Sequence, residues 1–587
     1  MLKLLKNLNK RDYIYVFISA GLIVFQVWLE LKMPDYMSNI TQLVQTRGAS
    51  INDILREGSY MLLCAFGSLV SAFIVGYFTS TIAASFSYRT RGKLFRKVED
   101  ISTFEVKKFS PSSLITRTTN DITQIEFLIA MGLTLMIKAP ITAVWAVTKI
   151  LNKNIEWSIL TGIAVLVLLI TIGIIMMIVM PKFKIVQELM DKINMVMREN
   201  LSGIRVVRAF NAEKYQEDKF ENVNNTLTNQ QVFNQKAFNF LSPVMYLVMY
   251  FLTLGIYFIG AMLINEANMG DKIVLFGNMI VFSSYAMQVI MSFLMLAMIF
   301  MMLPRASVSA KRINEVLDTP ISVNEGNVTM NNSDIKGCVE FKNVSFKYPD
   351  ADEYVLEDIS FKVNKGETIA FIGSTGSGKS TLINLIPRFY DATSGEILIN
   401  GIDVRDYSFE YLNNIIGYVP QKATLFSGDI LSNVSFGNNI DGKPSNKKIA
   451  DALRVSQASE FVSKLEDGEK SHIAQGGTNI SGGQKQRLSI ARTIARNPEI
   501  YIFDDSFSAL DYKTDSTLRR ELREYTKDAT VMIVAQRIGT ILNADKIVVL
   551  DNGKCVGVGT HNELMKKCKV YKEIALSQVS KEELENV

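Results

Sequence analysis

ETIAFIGSTGSGKSTLINLI, residues 367–386, reads as a buried strand, a glycine-rich loop and a helix in immediate succession. The loop fits G-x-x-x-x-G-K-[ST]: Gly373, Ser374, Thr375, Gly376, Ser377, Gly378, Lys379 and Ser380, with Thr381 next. Glycines let backbone N–H groups turn inward around phosphate oxygens, and the following helix adds the positive end of its dipole. Lys379 is placed to reach the terminal phosphates, and the Ser380 hydroxyl to ligate Mg2+. In its setting of strand, loop and helix, the motif predicts an α/β nucleotide-binding domain. By itself it leaves open what the nucleotide powers.

Upstream of the loop, CVEFKNVSFKY (338–348) alternates like a strand, so the soluble domain starts near 335. Downstream, YIFDDSFSALD (501–511) ends an apolar run on Asp504 and Asp505. An acid ending a buried strand is placed to hold magnesium, and a glutamate directly after it would orient an attacking water. Asp505 is one methylene shorter than that glutamate. Whether the chain hydrolyses its nucleotide or only binds it turns on this difference.

The residues before the soluble domain have another character. A membrane helix needs about 20 mostly apolar residues, and six such runs lie at about 13–31, 60–84, 127–150, 157–180, 239–265 and 273–303. The fourth, WSILTGIAVLVLLITIGIIMMIVM, carries no charge. Six runs of this kind exceed what a soluble core can bury. The 48% hydrophobic content of the 587 residues agrees, and a net charge of +5 implies no nucleic-acid partner. Four scattered cysteines without a CxxC pair imply neither a disulfide framework nor a zinc site. The first run follows a basic tail (Lys3, Lys6, Lys10, Arg11) without a small-residue cleavage site, so it reads as a retained helix.

Loop charge sets the orientation. Residues 88–125 hold eight Lys/Arg and 181–236 hold nine, whereas the connections near 151–156 and 266–272 hold one each. The basic tail and the two long loops are therefore expected in the cytoplasm. Their helical periodicity predicts membrane helices that continue far into the cytosol. After Pro304, RASVSAKRINEVLD (305–318) leads to a polar connector near 320–336. The expected organisation is an all-α six-helix transmembrane domain (1–320), a linker (321–335) and an α/β P-loop nucleotide-binding domain (336–580).

Residues 479–493, NISGGQKQRLSIART, resemble the signature of the ATP-binding cassette (ABC) family, LSGGQ followed by a basic helix, with Ile480 in place of leucine. The rest of the family pattern follows in order. The resemblance implies that Tyr348 stacks on adenine, that Gln421 in VPQKATLF touches magnesium, and that Asp504 is the magnesium acid. It implies Ser380, Gln421 and Asp504 as the metal set, and a loop at Ser508–Asp511 facing the opposite subunit. ENLSGIRVVRAFNAE (199–213) and SPSSLITRTTNDI (110–122) look like the cytoplasmic loops of the family's exporters. Six spans ahead of one cassette resemble a bacterial, multidrug-type half-transporter, multi-pass in the cell membrane with a cytoplasmic cassette. Two such chains must pair.

The sequence departs from the family at two points. Asp505 stands where the catalytic glutamate is expected, and VAQR (534–537) puts Gln536 where the switch histidine is expected. Retracting a carboxylate by about 1 Å can cost on the order of 100-fold in rate. Gln536 hydrogen-bonds but carries no proton or positive charge. IAQGG (473–477) likewise places Gln475 and Gly476 where the family often has an acid and an arginine. Neither His472 nor His561 substitutes from its own motif. In the family, each site combines the P-loop and acids of one chain with the signature of the other. The resemblance thus implies a degenerate, slowly hydrolysing site here. It also implies an intact signature (Ser481, Gly482, Gly483, Gln484) that completes the site of a partner half-transporter keeping glutamate and histidine. An ATP-gated channel and a self-sufficient homodimeric exporter stay open as alternatives. Cargo is expected to be hydrophobic or amphipathic, because the sixth span is rich in Met279, Phe282, Tyr285, Met287, Met291, Phe293, Met295 and Met298. Lys138, within the third span, is expected either to meet an anionic cargo group or to be neutralised by an acid.

Overall fold

Apolar runs continued by polar helical sequence give helices longer than a bilayer. The structure, a computed structural model, describes residues 2–46, 48, 50–151, 155–331, 335–437 and 442–578. Residues 152–154 of the connection expected near 151–156, residues 332–334 of the expected linker and the last two residues of the expected 336–580 domain lie outside the described residues. The chain divides into one unit of Met1–Val98 and Ser110–Asp318, and a second of Glu99–Phe109 and Thr319–Val587.

The first unit holds six helices long and apolar enough to cross a membrane: Lys10–Gln45, Ile51–Asp100, Pro111–Leu151, Ile155–Ser202, Glu213–Glu266 and Asp271–Leu317. The polar stretch at 181–236 is helical as its periodicity predicts, broken by a turn at Asn211 in the left-handed region. Asparagine tolerates that conformation better than other non-glycine residues. The fourth and fifth spans pack along each other, the third against the sixth, and the first against both third and sixth. Trp157 stacks obliquely on Phe282 in their core, with ring centroids 5.2 Å apart. Of the soft side chains on the sixth span, Met279, Phe282 and Tyr285 are buried in this core, whereas Met291 and Met298 are exposed.

Two lysines inside the spans are paired with acids, as the cost of a lone charge in hydrocarbon demands. Lys138 Nζ lies 2.8 Å from Glu30 Oε1, which also accepts from Gln26 and Ser68. Lys138 is thus neutralised by an acid of the first span. Lys149 pairs with Asp35 at 2.8 Å, and the Tyr285 hydroxyl donates to the other oxygen of Asp35 at 2.7 Å. These bonds tie the first span to the third and sixth.

In the second unit, β1 (Val339–Phe346), β2 (Leu356–Val363), β4 (Ser394–Ile399) and β5 (Ile402–Asp403) form an antiparallel sheet in the order β2-β1-β4-β5. A second sheet runs β12-β11-β3-β10-β9-β6, built from β3 (Thr368–Gly373), β6 (Ile416–Val419), β9 (Ile500–Asp504), β10 (Thr530–Val534), β11 (Lys546–Asp551) and β12 (Lys554–Gly559). It is parallel from β11 to β6, and β12 is its antiparallel edge. Two-residue strands β7 (Gly428–Asp429) and β8 (His472–Ile473) pair separately. Every residue of β9 and β10 is buried, because one face of the sheet packs on helices and the other, through Ile500, Ile502, Met532 and Val534, joins a core shared with the antiparallel sheet. This strand order sets the carboxyl ends of β3, β10, β9 and β6 side by side, where open α/β sheets bind ligands.

Candidate functional site

Four strand ends build the site. β3 runs into the glycine loop and then the helix Lys379–Asn384. Gly378 has φ +93, and a Cβ there would meet the Leu356 side chain at 2.7 Å and the Val355 carbonyl at 3.0 Å. Only glycine fits. Lys379 Nζ donates to the carbonyls of Gly373 at 2.9 Å and Ser374 at 2.7 Å, which hold the ammonium over the loop. Burial lowers its proton affinity below the ordinary lysine value, so a phosphate anion would be a better partner than the carbonyls.

Asp504 closes β9. The Ser380 hydroxyl donates to its Oδ1 at 2.9 Å. Burial raises the Asp504 pKa above the ordinary range, and the Ser380 hydrogen bond opposes this in part. A hydroxyl beside a desolvated carboxylate is a hard-oxygen pair of the kind Mg2+ takes, with phosphate and water oxygens completing its shell. Ser380 and Asp504 therefore fit the metal. Gln421, the third residue of the expected metal set, is instead tied to Asp505.

Asp505 follows directly, with φ +46 and its N–H on the Val534 carbonyl at 3.0 Å. Its Oδ2 accepts from Gln536 Nε2 at 2.8 Å and from Gln421 Nε2 at 3.1 Å. The meeting follows from the ladder. β9 and β10 pair in parallel with Asp504 opposite Val534, so the residues just beyond their ends converge. The loop after β6, which flanks β9, brings Gln421. Two of the departures from the family pattern, Asp505 and Gln536, are thus bonded to each other.

The signature residues lie on their own helix. Ser481 caps Gly482–Arg496, and its Oγ accepts from Gln484 N at 3.3 Å while Gln484 Oε1 accepts from Ser481 N at 2.9 Å. This capping box fixes the helix start. Among the described residues, no hydrogen bond joins Ser481 or Gln484 to Lys379, Ser380, Asp504 or Asp505. Tyr348 donates to or accepts from Thr381 Oγ1 at 3.1 Å and meets Tyr390 edge-on at 5.4 Å.

Residues 15–303 match the ABC transporter transmembrane region and 356–508 match the ABC transporter domain. An ABC transporter ATP-binding protein of Mycobacterium bovis is 40% identical, over 92% of this chain and 93% of the relative. This chain is an ABC transporter. With one transmembrane region and one cassette, it is a half-transporter of the exporter type. The ATP-dependent lipid A-core flippase of Pseudomonas aeruginosa is 30% identical, over 86% and 82% of the two chains. A bacterial Atm1-family ABC exporter with ATP bound shares the fold, with TM-score 0.82 at 23% identity, over 98% of this chain and all of that one. The transporter is a multi-pass membrane protein with a cytoplasmic nucleotide-binding domain, and its family implies ATP binding.

Three residues at the site escaped the sequence reading. Tyr418, on β6, donates to Asn384 Oδ1 at 3.0 Å and stands 3.5 Å from Asp504 Oδ2. Its place three residues before Gln421 was the available signal. Lys107, from the helix Thr103–Lys108, donates to the Tyr390 hydroxyl at 3.2 Å and shares a cleft of about 240 Å3 with Tyr348. Gln578 bridges both sides of the switch: its Nε2 donates to the Gln536 carbonyl at 2.7 Å and its Oε1 accepts from Ile538 N at 2.8 Å. No sequence signal marks Lys107 or Gln578.

Proposed function

We propose that this transporter is one half of a heterodimeric exporter of hydrophobic or amphipathic cargo. Its own site binds MgATP and turns it over slowly, while its signature completes the fast site of the partner. The observation that carries this reading is the Asp505 carboxylate held by the amides of Gln536 and Gln421. An acid so engaged has lost the reach of a glutamate, and the adjoining amide cannot supply the proton or charge of a histidine.

Within this reading, the N–H groups at 373–380 and Lys379 bind the phosphates. Ser380 and Asp504 would hold Mg2+, which neutralises phosphate charge when bound, and Gln421 is the residue placed to join them on release from Asp505. Tyr348 supplies the aromatic face for the base. Ser481, Gly482, Gly483 and Gln484 present a helix N-terminus to the partner's nucleotide. The resemblance to a lipid A-core flippase supports an amphipathic cargo.

The test is steady-state ATPase of the full-length chain purified alone and with its partner half-transporter. The chain alone should be nearly inactive and the pair active. Full turnover by the chain alone would replace this reading with a self-sufficient homodimer.

A further inference from the structure

A cavity of about 670 Å3 lies in the transmembrane unit, within the range of pockets for drug-sized ligands. Four spans line it: Gln124 from the third, Phe183 from the fourth, Asn234 and Phe238 from the fifth, and Met302 and Arg305 from the sixth. The backbone ladder is interrupted beside it three times. Leu128–Gly132 is a π turn, and Pro181 and Pro304 each lack the N–H that would continue their helices. Such interruptions keep helices from closing on one another, and π turns concentrate at functional sites.

The chemistry of the lining is uneven. Phe183 and Phe238, with ring centroids 6.0 Å apart, make a half-buried apolar wall. Among the described residues no acid lines the cavity and Arg305 has no carboxylate partner; its guanidinium lies 6.0 Å from the Phe183 ring centroid at the exposed rim. Asn234, only 6% exposed, also lines the cavity, and its Oδ1 meets no donor among the described residues. A buried amide oxygen without a partner is unfavourable, so a ligand that brings a donor gains affinity by satisfying it.

We propose that this cavity binds an anionic amphiphile that carries a hydroxyl or amide donor near its head. The anion pairs with Arg305, the donor satisfies Asn234, and the apolar body lies along Phe183 and Phe238. The assignment rests on the exporter reading above and names its cargo class, but it does not depend on which site hydrolyses ATP.

The test is binding of acyl-labelled lysophosphatidylglycerol to the full-length chain in a neutral detergent without nucleotide, read by fluorescence anisotropy. A monoacylglycerol of equal chain length supplies the donor without the anion, and inorganic phosphate supplies an anion without the apolar body. Arg305→Ala should weaken lysophosphatidylglycerol by about 10-fold, the scale of one charge-assisted contact, and leave monoacylglycerol unchanged. Arg305→Lys should restore most of the affinity, which separates lost charge from lost folding. Asn234→Leu should weaken both lipids. Equal binding of the two lipids with no response to Arg305→Ala overturns the proposal, as does displacement by phosphate alone at lipid-like concentration. Because no ATP is present, failure here leaves the ATPase comparison untouched, and failure of that comparison leaves the cavity's ligand standing.

Discussion

Replacing Asp505 by asparagine separates a working base from a spent one. Asparagine keeps the shape, keeps an oxygen for the amides of Gln536 and Gln421, and tolerates the φ of +46 found at this position. What it removes is charge. Hydrogen bonds to a charged group are worth about 1.5–3 kcal/mol and neutral ones about 0.5–1.5, so two bonds lose roughly 2 kcal/mol of local stability. In the proposed heterodimer that loss falls on a half-buried loop of this chain and not on the partner's active site. Removing a true general base instead costs about 100-fold to 10,000-fold in turnover, or about 3–5 kcal/mol of barrier. The two cases are far enough apart for one assay. Steady-state ATPase of the Asp505→Asn heterodimer at saturating MgATP should stay within about threefold of wild type, since local loop energy does not enter the partner's barrier. A fall of about 100-fold would make Asp505 a catalytic base and refute the degenerate-site reasoning. Alanine would be a poorer probe, because it adds backbone strain in the left-handed region.

Ser481→Arg should abolish turnover of the same complex, because it removes the capping box of Gly482–Arg496 and puts bulk where the signature closes on the partner's nucleotide; unchanged ATPase would sink the proposed role of the signature. Lys138→Met strands the Glu30 charge among the spans and should cost about 3–5 kcal/mol, seen as a lower thermal midpoint in detergent. Adding Glu30→Gln should recover much of that midpoint, and failure to do so would show the pair to be incidental. His561 is buried with its Nδ1 2.7 Å from the Tyr571 hydroxyl, and burial lowers its pKa below the ordinary 6.5. Below 6.5 the unfolded chain takes up this proton while the folded domain resists it, so stability falls as pH drops from 6.5 toward the folded value and levels off beneath it. Denaturant midpoints across about pH 5 to 8 should carry this slope in wild type and lose it in His561→Gln.

The features legible in the sequence are those made by consecutive residues. A span is an apolar run of sufficient length, so WSILTGIAVLVLLITIGIIMMIVM gives itself away without any neighbour. The glycine loop works through successive backbone N–H groups, which forces its residues into one short string. The same holds for the capping box, where Ser481 and Gln484 are three positions apart. Departures at Asp505 and Gln536 were visible because each sits in such a string. Their meeting was not: they are 31 positions apart, and the Gln421 that joins them is 84 from Asp505. Only the order β3-β10-β9-β6, a property of the folded sheet, carries the three loops to one edge. The Gln578 bridge over the switch spans 42 positions and the Glu30–Lys138 bond 108, and neither uses a residue pattern that marks it in advance. The cavity beside Arg305 is still less local, since four helices each give it a few side chains of ordinary type. The two kinds of domain and the atoms available to the nucleotide are readable from the chain alone, because those depend on neighbours along it. Tertiary structure decided which acid meets which amide or amine, because strand order and helix facing are set by packing across the whole unit.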